Sequence, residues 1–191
     1  MAEPIKATEV LKVFSPGEVL NIIDMKNKAM KITDVALKFL TFDTPMPEGL
    51  ILAGGCFSSF FYGQDIKDYD VFVLKDKNFD STCHAIDRFI LHNEPSSTYN
   101  KNPRFRIGNS AYINNQNNQN KIIKTIFDTQ SKIQFIITEF TSRQELIDHF
   151  DCEHACVSFD IHDNKLYISR STYDCIANKL IRRHKNNSIL G

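Results

Sequence analysis

Two aspartates separated by a single residue, Asp68 and Asp70, follow a glycine pair, Gly54-Gly55, in the segment LILAGGCFSSFFYGQDIKDYDVFV that spans residues 50–73. In a strand, residues two apart lie on the same face. Asp68 and Asp70 therefore project together near the start of a strand reading from Asp68 to Lys75. Two carboxylates that close repel each other unless a cation sits between them, and hard oxygen ligands suit Mg²⁺. Gly54 and Gly55 carry no Cβ, so the backbone there can approach a triphosphate closely. The chemistry these types and spacings suit is metal-assisted handling of a nucleotide.

The neighbouring elements must position that chemistry. The apolar run Gly49 to Ala53 reads as a buried strand, broken by the glycine pair. Cys56 to Tyr62 reads as a short helix. Ser15-Pro16-Gly17-Glu18 is a helix start with a capping box, followed by an apolar face of Val19, Leu20, Ile22 and Ile23. A second helix is predicted from Lys28 to Leu40, with Ile32, Val35, Ala36 and Phe39 inward. Asp80 is predicted to cap a helix running to Leu91. Residues 93–108 read as a loop, and Ala111 to Ile113 as a strand after it. Asn114 to Asn120 is a low-complexity polar turn.

Lys121 to Phe127 and Lys132 to Thr138 read as a strand pair joined by Asp128-Thr129-Gln130-Ser131. A second capping box, Ser142 with Glu145, opens a short helix to Phe150. Ala155 to Ile161 and Leu166 to Ser169 are predicted to form a hairpin. Ser171 is predicted to cap a last helix carrying Ile176, Leu180 and Ile181. The class is α+β, with a mixed central sheet flanked by helices. Residues 1–48 are N-terminal helices packing on the core, 49–170 the core, and 171–191 a C-terminal helix and basic tail, together one compact domain.

Composition bounds the partners. The 191 residues carry 23 Lys plus Arg against 23 Asp plus Glu. That balance argues against a dominant sequence-independent nucleic-acid surface, which needs an excess of cations. No apolar stretch reaches the roughly 18 residues of a membrane span, and the N-terminus lacks the apolar core of a signal peptide. The five cysteines (Cys56, Cys83, Cys152, Cys156 and Cys175) are odd in number with no framework spacing, so they read as reduced thiols in a cytoplasmic compartment. Cys152, His154 and Cys156 lack a second ligand pair for zinc and read as packing residues. Lys179, Arg182, Arg183, His184 and Lys185 read as favourable charge at a helix C-terminus and a solvated tail.

The segment around Gly54-Gly55 and Asp68-x-Asp70 resembles the polymerase-β-like nucleotidyltransferase superfamily, and within it the head domain of tRNA CCA-adding enzymes and bacterial poly(A) polymerases. Gly54-Gly55, Gly63, Asp68 and Asp70 fall in the register of that pattern. The resemblance implies a nucleotidyltransferase fold. It implies that Gly54 and Gly55, with Ser58 and Ser59 after them, border the nucleotide phosphates. It implies that Asp68 and Asp70 bind Mg²⁺ or Mn²⁺. A weaker likeness from Phe150 to Asp160 places Asp151 on the sugar side of the nucleotide. The likeness covers residues 49–168.

Three departures qualify what it implies. Ser58-Ser59 stand where the family has Arg-Asp, which removes a charged phosphate contact. His149-Phe150 replace two arginines before Asp151. Gln134 stands at the third carboxylate position and cannot accept the nucleophile's proton; Asp128 or Glu139 substitutes if the register shifts.

The implied activity is transfer of a nucleoside monophosphate from a nucleoside triphosphate to a hydroxyl, with release of pyrophosphate. The acceptor is left open among nucleic acid, protein and small molecule, as is the oligomeric state. The alternative is a catalytically reduced descendant serving as a nucleotide-binding or assembly module, as in a phage. The compact size is similar to nucleotidyltransferase-like proteins of bacteriophages, which implies a host cytoplasmic location.

Overall fold

A computed structural model describes residues 13–41, 45–94, 103–108 and 121–184. The predicted strand at Ala111 to Ile113, the Asn/Gln turn and Lys185 lie outside these residues. The architecture is α+β, as the sequence predicts. One seven-stranded mixed sheet carries helices on both faces.

The elements run α1 (Pro16–Ala36), a 3₁₀ turn (Lys38–Thr41), β1 (Leu50–Ala53), α2 (Cys56–Tyr62), β2 (Tyr69–Val73) and α3 (Phe79–Asn93). There follow β3 (Phe105–Gly108), β4 (Ile122–Asp128), β5 (Ile133–Thr138), α4 (Arg143–Asp148), a 3₁₀ turn (Glu153–Ala155), β6 (Ser158–Asp160), β7 (Lys165–Tyr167) and α5 (Arg170–Ala177). The strand order is β3-β4-β5-β2-β1-β6-β7. Among the described strands only β2 and β5 pair in parallel, and every other neighbouring pair is antiparallel.

The central strands are buried on both faces, and this splits the core. Leu50, Leu52, Val71, Val73, Phe135 and Ile137 face one side, where Met25 and Ala29 of α1, Phe57 and Phe60 of α2, Ile86 of α3 and Tyr173 and Ile176 of α5 close over them. Ile51, Ala53, Phe72, Leu74 and Ile136 face the other side. That side has a thinner cover from Leu146 and Ile147 of α4, Phe140 and Cys156. Alternation along each strand sends successive residues to opposite layers.

Several elements differ from the sequence reading. One continuous helix, α1, replaces the two predicted before Leu40. Its interior holds no Pro after Pro16 and no Gly after Gly17, Met25 is fully buried at the supposed break, and Asp24 pairs with Lys28 one turn on at 2.9 Å. The predicted apolar faces are only half right, since Leu20, Ile23 and Val35 are exposed. The Ser15–Glu18 capping box is present in both directions.

Helix α3 starts from Asn78 rather than Asp80, without a side-chain cap. Helix α5 is capped by Ser169, whose hydroxyl accepts the Thr172 N–H, and not by Ser171. Lys179 then takes a left-handed conformation (φ 52°) that ends the helical path, leaving Leu180 and Ile181 exposed beyond it. Ser142 caps α4, but Glu145 bonds Thr141 and Lys121 instead of completing a box. Phe105–Gly108 is an edge strand where a loop is predicted; four residues are too few for periodicity to register. All five cysteines are free thiols. Among the described residues no helix is long and apolar enough to cross a membrane.

Candidate functional site

The register of the sheet places the sequence-marked residues. On β2, Asp70 lies directly opposite Ala53 of β1 and opposite Gln134 of β5. The same row continues outward through Phe127 on one side and through Ser158 and Tyr167 on the other. Residues opposite one another across a ladder project to the same face. This row therefore lies on the thinly covered face, with Phe72, two residues beyond Asp70, beneath the ring of Phe150 at 5.5 Å.

Chain direction explains the convergence. Strand β1 ends at Ala53, and the pair Gly54-Gly55 turns the chain into α2. Gly54 has φ +97°, a conformation that favours glycine. A Cβ at Gly54 would lie 3.6 Å from Oδ2 of Asp70, so the bare backbone leaves room beside that carboxylate. Strand β2 runs antiparallel and begins where β1 ends, which brings Asp70 to the glycine turn.

The electrostatics of the site are unbalanced. Oδ1 of Asp70 is buried and has no hydrogen-bond partner. Burial, and then the nearby negative charge of Asp68, push the Asp70 carboxyl up to about 7. Asp68 itself is exposed, just before the strand. The buried thiol of Cys56, in the first turn of α2, is pushed up by its burial and then by the charges of Asp70 and Asp68. Two carboxylates and a thiol thus crowd one corner, and among the described residues no cationic side chain offsets the charge at Asp70. An orphaned buried carboxylate oxygen beside a second carboxylate suits a divalent cation.

The other marked residues are spread around this corner. Ser59 donates its hydroxyl to the Gly55 carbonyl at 3.4 Å, while Oγ of Ser58 is buried without a partner. Gln134 stands next to Asp70, so the register does not shift in favour of another acid. Asp128 lies one residue past Phe127 and so faces the opposite layer, held by Arg104. Glu139 follows the far end of β5. Asp151 is exposed and ties the C-terminal segment through its carbonyl, which accepts the His184 N–H at 2.8 Å. It adjoins Phe150, which covers Phe72, rather than standing in the Asp70 row.

Three residues of this face carry no signal in the sequence. Arg143, at the start of α4, donates from Nη1 to Oγ of Ser158 at 3.3 Å and lies 3.8 Å over the ring of Tyr167. Burial lowers its pKa, and the charges of Tyr167, Asp160 and Asp148 oppose that. Strand register brings Ser158 and Tyr167 into the row of Asp70, and Arg143 reaches that row from α4 through its contacts with them.

Residues 25–179 match the model of the family described as Gad2: Gabija anti-defense 2 family protein. The chain belongs to the Gabija anti-defense 2 family. No curated protein matches it. Among solved structures it is similar to a CCA-adding enzyme in an apo form, with a TM-score of 0.50 and 12% identity over 96% of this chain and 37% of that one. It is likewise similar to a tRNA-processing enzyme with CTP, with a TM-score of 0.50 and 13% identity over 83% of this chain and 37% of that one. At such identities the likeness concerns the fold, and it is a nucleotidyltransferase-like fold. This Gad2-family chain spans little more than a third of the length of those enzymes.

Proposed function

We propose that this Gad2-family protein is a divalent-metal-dependent nucleotidyltransferase, moving a nucleoside monophosphate from a nucleoside triphosphate to a hydroxyl acceptor and releasing pyrophosphate. The observation that carries this reading is the orphaned Oδ1 of Asp70, buried beside the Gly54 turn and next to Asp68. Asp68 and Asp70 would hold Mg²⁺ or Mn²⁺. When bound, the ions stabilise the attacking and leaving oxygens of an in-line displacement. Gly54 and Gly55, with Ser58 and Ser59 at the start of α2, admit the phosphates to the backbone. Arg143 of α4, bonded to Ser158 two strands from Asp70, would supply the positive charge that Ser58 and Ser59 lack. Asp151 would lie toward the sugar.

The family description supports a role in countering the defence named Gabija. A phage-encoded protein working in the host cytoplasm suits that role. The CTP in one similar structure supports a nucleoside triphosphate as donor. The acceptor hydroxyl belongs to a nucleic acid, a protein or a small molecule.

A second reading rests on Gln134. Its amide occupies the position beside Asp70 where a carboxylate would accept the nucleophile's proton. A protein that binds triphosphate and metal without turnover, acting as a nucleotide-binding or assembly module, is the consequence if no other base serves.

A screen of the four ribonucleoside triphosphates for pyrophosphate release, with Mg²⁺ or Mn²⁺ and with candidate acceptors, separates the two. Transfer by the unaltered protein that falls by at least ~10³-fold in the doubly substituted Asp68→Asn, Asp70→Asn protein supports the enzyme. Metal-dependent triphosphate binding without release supports the binding module. Release that survives both substitutions overturns the assigned site.

A further inference from the structure

We propose that Glu153, Cys156 and His184 form a second metal site, distinct from the Asp68–Asp70 corner and suited to a zinc-class transition metal. One ligand atom from each residue, a carboxylate oxygen, Sγ and a ring nitrogen, lies within 4.8 Å of the other two.

The backbone builds this cluster from two distant segments. Glu153 opens the 3₁₀ turn Glu153–Ala155, and Cys156 follows it. Residues three apart in a 3₁₀ turn are nearly eclipsed, which stacks the carboxylate and the thiol on one side. His184 arrives on the C-terminal segment, which pairs back onto this turn. Cys152 bridges Arg183, the Glu153 N–H donates to the Arg182 carbonyl at 2.9 Å, and the His184 N–H donates to the Asp151 carbonyl at 2.8 Å. The basic tail read from the sequence as solvated is therefore anchored over residues 182–184. Of Cys152, His154 and Cys156, read from the sequence as packing residues, only Cys156 belongs to the metal-compatible trio.

The side chains are held without being used up. Nδ1 of His184 lies 2.8 Å from Oε2 of Glu153, and Oε1 of Glu153 accepts the Thr172 hydroxyl at 3.1 Å. Nε2 of His184 is buried with no partner. The Cys156 thiol donates only a weak bond to the Cys152 carbonyl at 3.3 Å. A buried imidazole nitrogen and a buried thiol without strong partners are what a metal would satisfy. The trio borders a cavity of about 250 Å³, which leaves space for a water as fourth ligand.

The donor set selects the metal. Thiolate and imidazole suit Zn²⁺ or Co²⁺, whereas Mg²⁺ prefers oxygen ligands. On binding, the Sγ–H bond of Cys156 breaks, its proton passes to solvent, and the sulfur pair forms the metal–sulfur bond. Thiolate and carboxylate then balance the two positive charges beside a neutral imidazole. A tetrahedral ion with bonds of ~2.0–2.3 Å needs ligand atoms roughly 3.5 Å apart. The three ligand atoms, all within 4.8 Å of one another, stand near that spacing. The bound ion would clamp residues 182–184 to the turn before β6.

Titration of the full-length, chelator-treated protein with Co²⁺ tests this directly. The expected result is one Co²⁺ per chain, with thiolate-to-cobalt charge transfer and the visible bands of a four-coordinate ion, displaced by Zn²⁺ but not by Mg²⁺. Cys156→Ser abolishes the charge-transfer band, and His184→Asn weakens binding by at least ~10-fold. Asp70→Asn leaves both unchanged, which keeps this test separate from the nucleotidyltransferase reading. Should Cys156→Ser fail to fold, the His184→Asn titration decides alone. Absence of a thiolate band in the unaltered protein, or a band and affinity that survive these substitutions, overturns the site.

Discussion

Asp70, half-buried with one buried oxygen, and Asp128, fully buried, stand at the same end of one sheet, yet they sit in opposite electrostatic worlds. Asp128 faces the thick layer, 2% exposed in its side chain, and takes two bonds from Arg104 at 2.9 and 3.1 Å. Ser131 and the Gln130 N–H complete its shell. Burial works to raise the Asp128 pKa, but these bonds outweigh it and hold the carboxyl below its ordinary value. Asp70 faces the thin layer, with one oxygen unpaired and a like charge beside it, and its carboxyl rises to about 7. Burial alone therefore does not mark a site. The contrast between a satisfied and an unsatisfied carboxylate does.

Removing the partner of the satisfied acid sharpens the contrast most. Arg104→Ala leaves Asp128 buried and unpaired and strips the cation from the rings of Phe89 and Phe105. The expected loss is about 3 kcal/mol of unfolding free energy, read by urea denaturation at neutral pH. A loss near zero would mean that solvent reaches Asp128.

The unsatisfied acid should behave in the reverse sense. Its raised folded-state pKa means that the native protein binds the proton more tightly than the unfolded chain. Stability is then greatest below the ordinary carboxylate range and is lost as pH rises toward about 7. Asp70→Asn should therefore stabilise the metal-free protein by roughly 1–2 kcal/mol above pH 7, with the gain vanishing near pH 4. Thermal melts of both proteins across that range give the slope. A destabilising Asp70→Asn above pH 7 would show that Asp70 has a stabilising partner.

The smallest expected effect lies at Gln134. If nucleotide transfer is limited by the missing base, Gln134→Glu should raise its rate by ~10-fold or more, while metal-free stability falls slightly from the added like charge beside Asp70. An unchanged rate would place the proton acceptor elsewhere.

Much of the Asp70 corner is legible in the sequence because its parts are local. Gly54-Gly55 and Asp68-x-Asp70 lie within 17 residues, and strand alternation with a glycine break reports both elements. Gln134 is legible too, because the β4–β5 hairpin has clear strand patterns on both sides. What escapes is assembled by register or by late pairing. Ser158 and Tyr167 join the face only through β6 and β7, each three residues long, and Arg143 joins it from α4 by contacting them. His184 reaches Glu153 across 31 residues through a single bridge, with no periodic pattern to announce it. The long α1 is misread for a different reason. Its polar middle mimics a break, but Met25 and Ala29 bury there and carry the helix through.

The most direct measurement is the ionisation of Asp70 itself, followed by carboxyl-carbon NMR with and without Mg²⁺ and a non-hydrolysable triphosphate. The expected result is a midpoint near pH 7 without metal. Adding metal and nucleotide should drive that midpoint down into or below the ordinary carboxylate range, ~4. A carboxyl that already titrates near ~4 without metal, or one that Mg²⁺ and nucleotide leave unmoved, would contradict Asp70 as the centre of a metal–nucleotide site.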